Sequence, residues 1–223
     1  MKRSCVKGFI SLICNVAVVA FTVVCVVGFF TRGGDGNMEV AGFTAFKYFT
    51  VDSNVLAAVA ALCMLPWSFK TMLGGRKAIK KSVLRLKFVA TAAVALTLFT
   101  VLFLLGPKYG YKFGMKYGYS LMYDGNNLFM HMISPLLMII SFCFAECKGE
   151  MRFRDTLLGL IPTVAYGAVY VAEVMLFKGW EDFYFFNDGG KWYIYLPAML
   201  AGSYLICVLL WLLRRVGVVF SER

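Results

Sequence analysis

An all-α, polytopic membrane protein is the fold class this sequence predicts, and three observations predict it. Of 223 residues, 61% are hydrophobic and 16% are charged, with a mean hydropathy of +0.74. Ordinary globular chains run at about 45–50% apolar and about 25% charged. Six apolar runs, at 8–30, 44–67, 83–105, 126–145, 156–177 and 192–213, each approach the roughly 20 residues that a bilayer core of about 30 Å demands. The 23 Lys and Arg divide 16 to 7 between the two sides those runs define, and positive residues flanking spans are retained in the cytoplasm. The prediction is one six-helix transmembrane domain over 1–223, with both termini cytoplasmic. Lys87 counts among the sixteen, as an inner flank of the third span.

Composition also excludes functions. A net charge of +11 would suit a nucleic acid, but no soluble stretch gathers the basic residues, and positive-inside topology accounts for the excess. The partner this charge predicts is a membrane with anionic headgroups. Trp67 and Trp211 fall at inner ends and Trp180 and Trp192 at outer ends, as in an aromatic belt. All seven cysteines lie in spans or at the cytoplasmic edge, so no disulfide is expected. Cys143 and Cys147 share a helix face, yet a single histidine and no CxxC repeat leave no metal site. Nothing in the sequence asks for a cofactor.

The first span follows a basic start and is longer than a signal-peptide core of about 7–15 residues. Its Asn15 either bonds to another helix or is a solitary amide satisfied by a neighbour, the latter being the simpler reading. A Gly-rich outer loop, 31–42, leads to the second span, which opens with an unusual concentration of polar groups. Thr50, Ser53 and Asn54 share one helical face, with Lys47 a turn above. Asp52 points about 200° away from Thr50 at about 100° per residue. It lines a different wall, pairs with a cation elsewhere, or sits on an unwound turn. The third span carries Thr91, Thr97 and Thr100, whose hydroxyls bond back to their own helix.

After it comes a tetrapeptide pattern repeated three times, Lys108-Tyr109-Gly110-Tyr111 through Lys116-Tyr117-Gly118-Tyr119. As an extended hairpin or as a helix, it suits the outer interface, aromatics dipping in and lysines at headgroup level. The fourth span begins with Asp124, Asn127 and the lone histidine, His131, on one face at i, i+3 and i+7. The second and fourth spans run in the same direction, so His131 and Thr50 lie at depths matching to about one turn of 5.4 Å. Tyr166, Tyr170 and Glu173 line the outer end of the fifth span. The following loop, 178–191, is aromatic and acidic, an interfacial lid by composition. The sixth span starts at Trp192 and ends at Arg214 and Arg215. No GxxxG motif of note stands within the spans.

Ionisable groups inside a span default to a functional hypothesis, because a charge near the bilayer centre costs roughly 2.5–3.5 kcal/mol on insertion scales. A threonine hydroxyl is a poor nucleophile until a base takes its proton, and histidine is the usual base at neutral pH. Thr50 and His131 are therefore the candidate nucleophile and base. Asp124 or Glu173 is available to fix the imidazole tautomer, and Asn54 or Asn127 to donate to a developing oxyanion. Ser53 and Asp52 complete the candidate polar set. Two other classes compete: a proton-coupled carrier relaying through Asp52, His131 and Glu173, and a non-catalytic lipid-binding protein.

Lys47-Tyr48-Phe49-Thr50 followed by Ser53-Asn54, and Asn127 to His131 with Pro135 just after, resemble the two motifs of the androgen-inducible transmembrane hydrolases and their bacterial membrane relatives. The resemblance covers the six-helix layout and these two motifs. It implies Thr50 as nucleophile, His131 as its base and a fatty acyl ester substrate, the family's own being fatty acid esters of hydroxy fatty acids, in a bacterial plasma membrane; the order of the spans places the site in the outer half of that bilayer. Met132 and Ile133 follow His131 where the animal members carry threonines, a departure that bears on the substrate more than on the site.

Overall fold

The computed structural model describes residues 3–31, 41–75 and 78–222. The Gly-rich connection at 32–40 and the charges of Lys2, Arg32, Arg76, Lys77 and Arg223 lie outside the described residues. Six helices are long and apolar enough to cross a membrane: α1 Arg3–Thr31, α2 Phe49–Met72, α3 Lys81–Phe113, α5 Leu128–Ala145, α6 Phe153–Phe177 and α7 Trp192–Glu222. A short helix, α4 Met115–Tyr123, stands between α3 and α5. No strand occurs among the described residues, and the architecture is an all-α bundle of transmembrane-length helices.

In lipid the helices gain little from hydrophobic contact with one another, so close approach through small side chains holds them together. Ala57, Ala60 and Ala61 of α2 pack with Val18 of α1, Ala90 and Val94 of α3 and Met138 of α5, all fully buried. The glycines of the lysine-aromatic repeat do the same job at the end of α3. The repeat is helical, folded back on itself at Gly114, whose φ of +99° is open to glycine. A Cβ on Gly118 would overlap the carbonyl of Gly106 and the backbone of Gly110. Glycine at a period of four thus forms the seam of a helical hairpin, a small-residue contact that the spans alone did not suggest.

Three departures from helical regularity stand just before prolines. A proline has no N–H for the carbonyl four residues earlier, and wider, π-helical turns stand just before Pro107 and Pro135, at Val101–Leu105 and Leu128–Ile133. A tighter 3₁₀ turn, Phe153–Leu160, precedes Pro162. The second of these turns carries His131.

One correction concerns charge. Lys87 is not a cytoplasmic flank: it and Glu146 are both 0% exposed, with Lys87 Nζ 3.6 Å from Glu146 Oε1. Lys87 donates to Asn15 Oδ1 at 2.5 Å, while Asn15 Nδ2 and Ser11 Oγ donate to Glu146 Oε1 at 2.8 and 2.9 Å. Ser68 of α2 joins through Ser11 at 2.7 Å. Asn15 is therefore one member of a network tying α1, α2, α3 and the end of α5, not a solitary amide. Lys87 faces inward because it shares the α3 face of Leu84 and Thr91, both also buried. This network lies at the end of the bundle where α1 begins, opposite the threonine–histidine pair.

Candidate functional site

Thr50 is the second residue of α2. The helix starts at Phe49 rather than at 44, because Tyr48 is extended (φ −101°, ψ 127°) and separates α2 from a 3₁₀ turn, Gly42–Lys47. Lys47 leaves the polar face for that turn, with its ammonium over the rings of Tyr48 and Phe183. Thr50 consequently sits in the first turn of α2, where the helix dipole favours negative charge.

Across from it, Thr50 Oγ1 and His131 Nε2 are 2.9 Å apart. Two local causes bring them there. Pro135 stands five residues after Met130 and four after His131, so carbonyls in this turn lose their helical donors. One of them, Met130 O, is taken by Asn54 Nδ2 at 3.0 Å, and the same amide donates to Thr50 O at 2.8 Å. Asn54 thus clamps the turn carrying His131 to the turn carrying Thr50. Ser53 Oγ donates to the same Thr50 carbonyl at 3.0 Å.

This clamp also corrects an expectation. Both amide hydrogens of Asn54 are engaged, so it has none to offer an oxyanion. Asn127 does line the small cavity at Thr50 and His131. Neither expected carboxylate orients the imidazole: His131 Nδ1 has no hydrogen-bond partner among the described residues, and the Leu121 backbone lies near the ring. Asp124 is an extended residue closing α4, and Gly125 (φ +51°) turns the chain before α5, so Asp124 shares no helical face with His131. Glu173 falls in the π-helical turn Ala172–Phe177, which rotates it off the line of Tyr166 and Tyr170. Its carboxylate lies beside Gly179. Asp52 keeps its place in an intact helix and lines a separate cavity with Pro162 and Trp180, the first of its three expected placements.

The residue that sequence reasoning passed over is Tyr184. It was legible only as part of an aromatic loop. That loop folds onto the site through Asp182, whose carboxylate accepts the Tyr170 hydroxyl and the N–H groups of Phe186 and Asn187 at 2.7–2.8 Å. Tyr184 N donates to the Tyr170 hydroxyl at 3.0 Å. Its own hydroxyl then accepts the Phe49 N–H at 3.1 Å and approaches the hydroxyls of Thr50 and Tyr166. Tyr166 spends its proton on Lys47 O at 2.6 Å. Burial pushes the Tyr184 phenol up, so it stays protonated and keeps a proton to donate.

Two cavities meet at Thr50 and Tyr184. A large one, about 390 Å³, runs between α3, α6 and α7, with Leu96, Phe99, Met199 and Ile206 among its walls. A small one, about 70 Å³, lies on the His131 side with Asn126, Asn127 and Leu121. Comparison with family models, curated proteins and solved structures finds no match to this chain.

Proposed function

We propose that this chain is an intramembrane ester hydrolase, with Thr50 as nucleophile and His131 as base. The observation that carries the reading is the 2.9 Å contact between Thr50 Oγ1 and His131 Nε2 at the wall of an apolar cavity inside the bundle. As Thr50 Oγ1 bonds to the ester carbonyl carbon, its proton passes to His131 Nε2. The carbon–oxygen bond to the alcohol then breaks, and that proton leaves with the alcohol, giving acyl-Thr50. A water, deprotonated by the same nitrogen, attacks the acyl carbon; the carboxylic acid departs and Thr50 regains its proton. The Tyr184 hydroxyl is the donor suited to the developing oxyanion, and the positive end of the α2 dipole favours charge there; the Phe49, Val51 and Asp52 N–H groups already have acceptors. Nucleophile, base and donor come from α2, α5 and the 178–191 loop, and Asn54 holds the first two in register.

The family resemblance adds fatty acyl esters as the substrate class, and the apolar cavity supports it. A proton relay through Asp52, His131 and Glu173 draws no support from the geometry, since Asp52 lines another cavity and Glu173 turns to Gly179. Labelling by a fluorophosphonate probe tests the hydrolase reading. It should occur in the parent protein and vanish in Thr50→Ala and His131→Ala, each with unchanged helical content. Labelling that persists in both variants refutes it.

A further inference from the structure

Thr50 and Tyr184 stand at the boundary of both cavities, and the two cavities differ in size and chemistry. A water needs about 10–15 Å³ of such space. The cavity of about 70 Å³ on the His131 side therefore holds a few small groups and no long chain. The cavity of about 390 Å³ is several times larger and apolar along most of its length.

The larger cavity also has a side opening. Its rim carries Phe103 and Leu104 of α3, 69% and 48% exposed, and Ala198 and Gly202 of α7, both exposed. A Cβ on Gly202 would meet nothing within 4 Å. The gap arises because α7 packs chiefly on 141–145 and on the start of α6, 153–160, at the far end of the bundle, and meets 161–171 of α6 only sparingly. All four rim residues belong to helices of membrane-spanning length and hydropathy, so what reaches the opening from the side is acyl chain rather than water.

The direction of proton flow sets the orientation. The departing alcohol takes its proton from His131 Nε2 and so leaves on the His131 side, into the small cavity. The acyl part must then project the other way. We propose that the substrate is an ester of one long acyl chain, which enters sideways between α3 and α7, and a small alcohol, which occupies the cavity beside His131. This inference rests on the hydrolase reading. It separates the chain from the two-chain esters that the family resemblance implies, because a second long chain does not fit beside His131.

Two isomeric esters provide the test: the methyl ester of a long saturated acid, and the acetate of a long saturated alcohol, each offered to the full-length protein in nanodiscs. The methyl ester should be cleaved at least about tenfold faster, the scale on which a pocket discriminates by apolar fit. In Gly202→Leu, which adds a side chain at the opening where a Cβ meets nothing within 4 Å, the ratio of long methyl ester to methyl butyrate turnover should fall about tenfold. Equal or reversed rates for the two isomers overturn the proposal, as does a Gly202→Leu variant that keeps the parent ratio. Thr50→Ala tests the hydrolase reading separately. If the parent cleaves neither isomer and takes no probe, that reading falls. If the acetate is preferred and Thr50→Ala abolishes its turnover, only the orientation falls.

Discussion

Removing one partner of the Lys87–Glu146 pair should destabilise the bundle far more than removing both. The two charges are 3.6 Å apart with no exposure, and at an effective dielectric of about 20 such a pair gains roughly 5 kcal/mol. That gain offsets the loss of solvation only while both charges are present. Glu146→Gln leaves the ammonium enclosed with Asn15 Oδ1 and Met138 Sδ, a cost of about 3–5 kcal/mol. Lys87→Met leaves a carboxylate that keeps its bonds from Ser11 and Asn15, and should fall near the lower end of that range. The double variant, Lys87→Met with Glu146→Gln, buries no charge and should cost about 1–2 kcal/mol. Equilibrium unfolding in mixed detergent micelles, followed by circular dichroism, supplies the double-mutant cycle. If Glu146→Gln lies within about 1 kcal/mol of the parent, or if the double variant loses the sum of the two singles, the network is not an enclosed ion pair.

Asn54→Leu removes one hydrogen bond that joins α2 to the His131 turn and one within α2, so unfolding free energy should drop by about 2 kcal/mol and probe labelling of Thr50 should slow at least tenfold; undiminished labelling would show that the pair is aligned by other means. Tyr184→Phe keeps the ring packing but deletes the hydroxyl, and should lower kcat about 100-fold with KM little changed; a change in KM alone would assign Tyr184 to binding. Asp188 is held below the usual carboxylate range, first by the hydrogen bond from Lys108 and then by its charge. Its folded value lies below the unfolded value of about 3.9, so the contact is fully present above that pH and is lost as pH falls through the folded value. Hydrogen exchange across 178–191 should therefore accelerate in that acid window, and Lys108→Gln should show the faster exchange already at neutral pH. Exchange that is indifferent to both would place the anchor of the loop elsewhere, on Asp182.

How much of this was legible in the chain differs from residue to residue. The number of spans followed from hydropathy, which is a sum over neighbours in sequence and needs no partner. Ser53 and Asn54 could be placed on the face of Thr50 because α2 is a regular helix there. Asp124 and Glu173 could not be placed beside His131, because that placement assumed a constant 100° per residue. The positive-φ turn at Gly125 and the π-helical turn at Ala172–Phe177 break that count. Lys87 was misread for a related reason: a charge rule assigns sides by distance from the end of an apolar run, and it cannot see Glu146 arriving from another helix to balance the charge.

Amino-acid order by itself determined an all-helical chain of six membrane-length segments, with hydroxyl and imidazole at similar depth in two of them, since apolar length and helical rise are local properties. Tertiary structure alone decided which side chains touch. The Thr50–His131 contact, the Asn54 clamp, Tyr184 over the helix start and the unequal cavities depend on how each helix is rotated and tilted against its neighbours. Packing fixes that rotation, and packing joins residues that the chain keeps far apart.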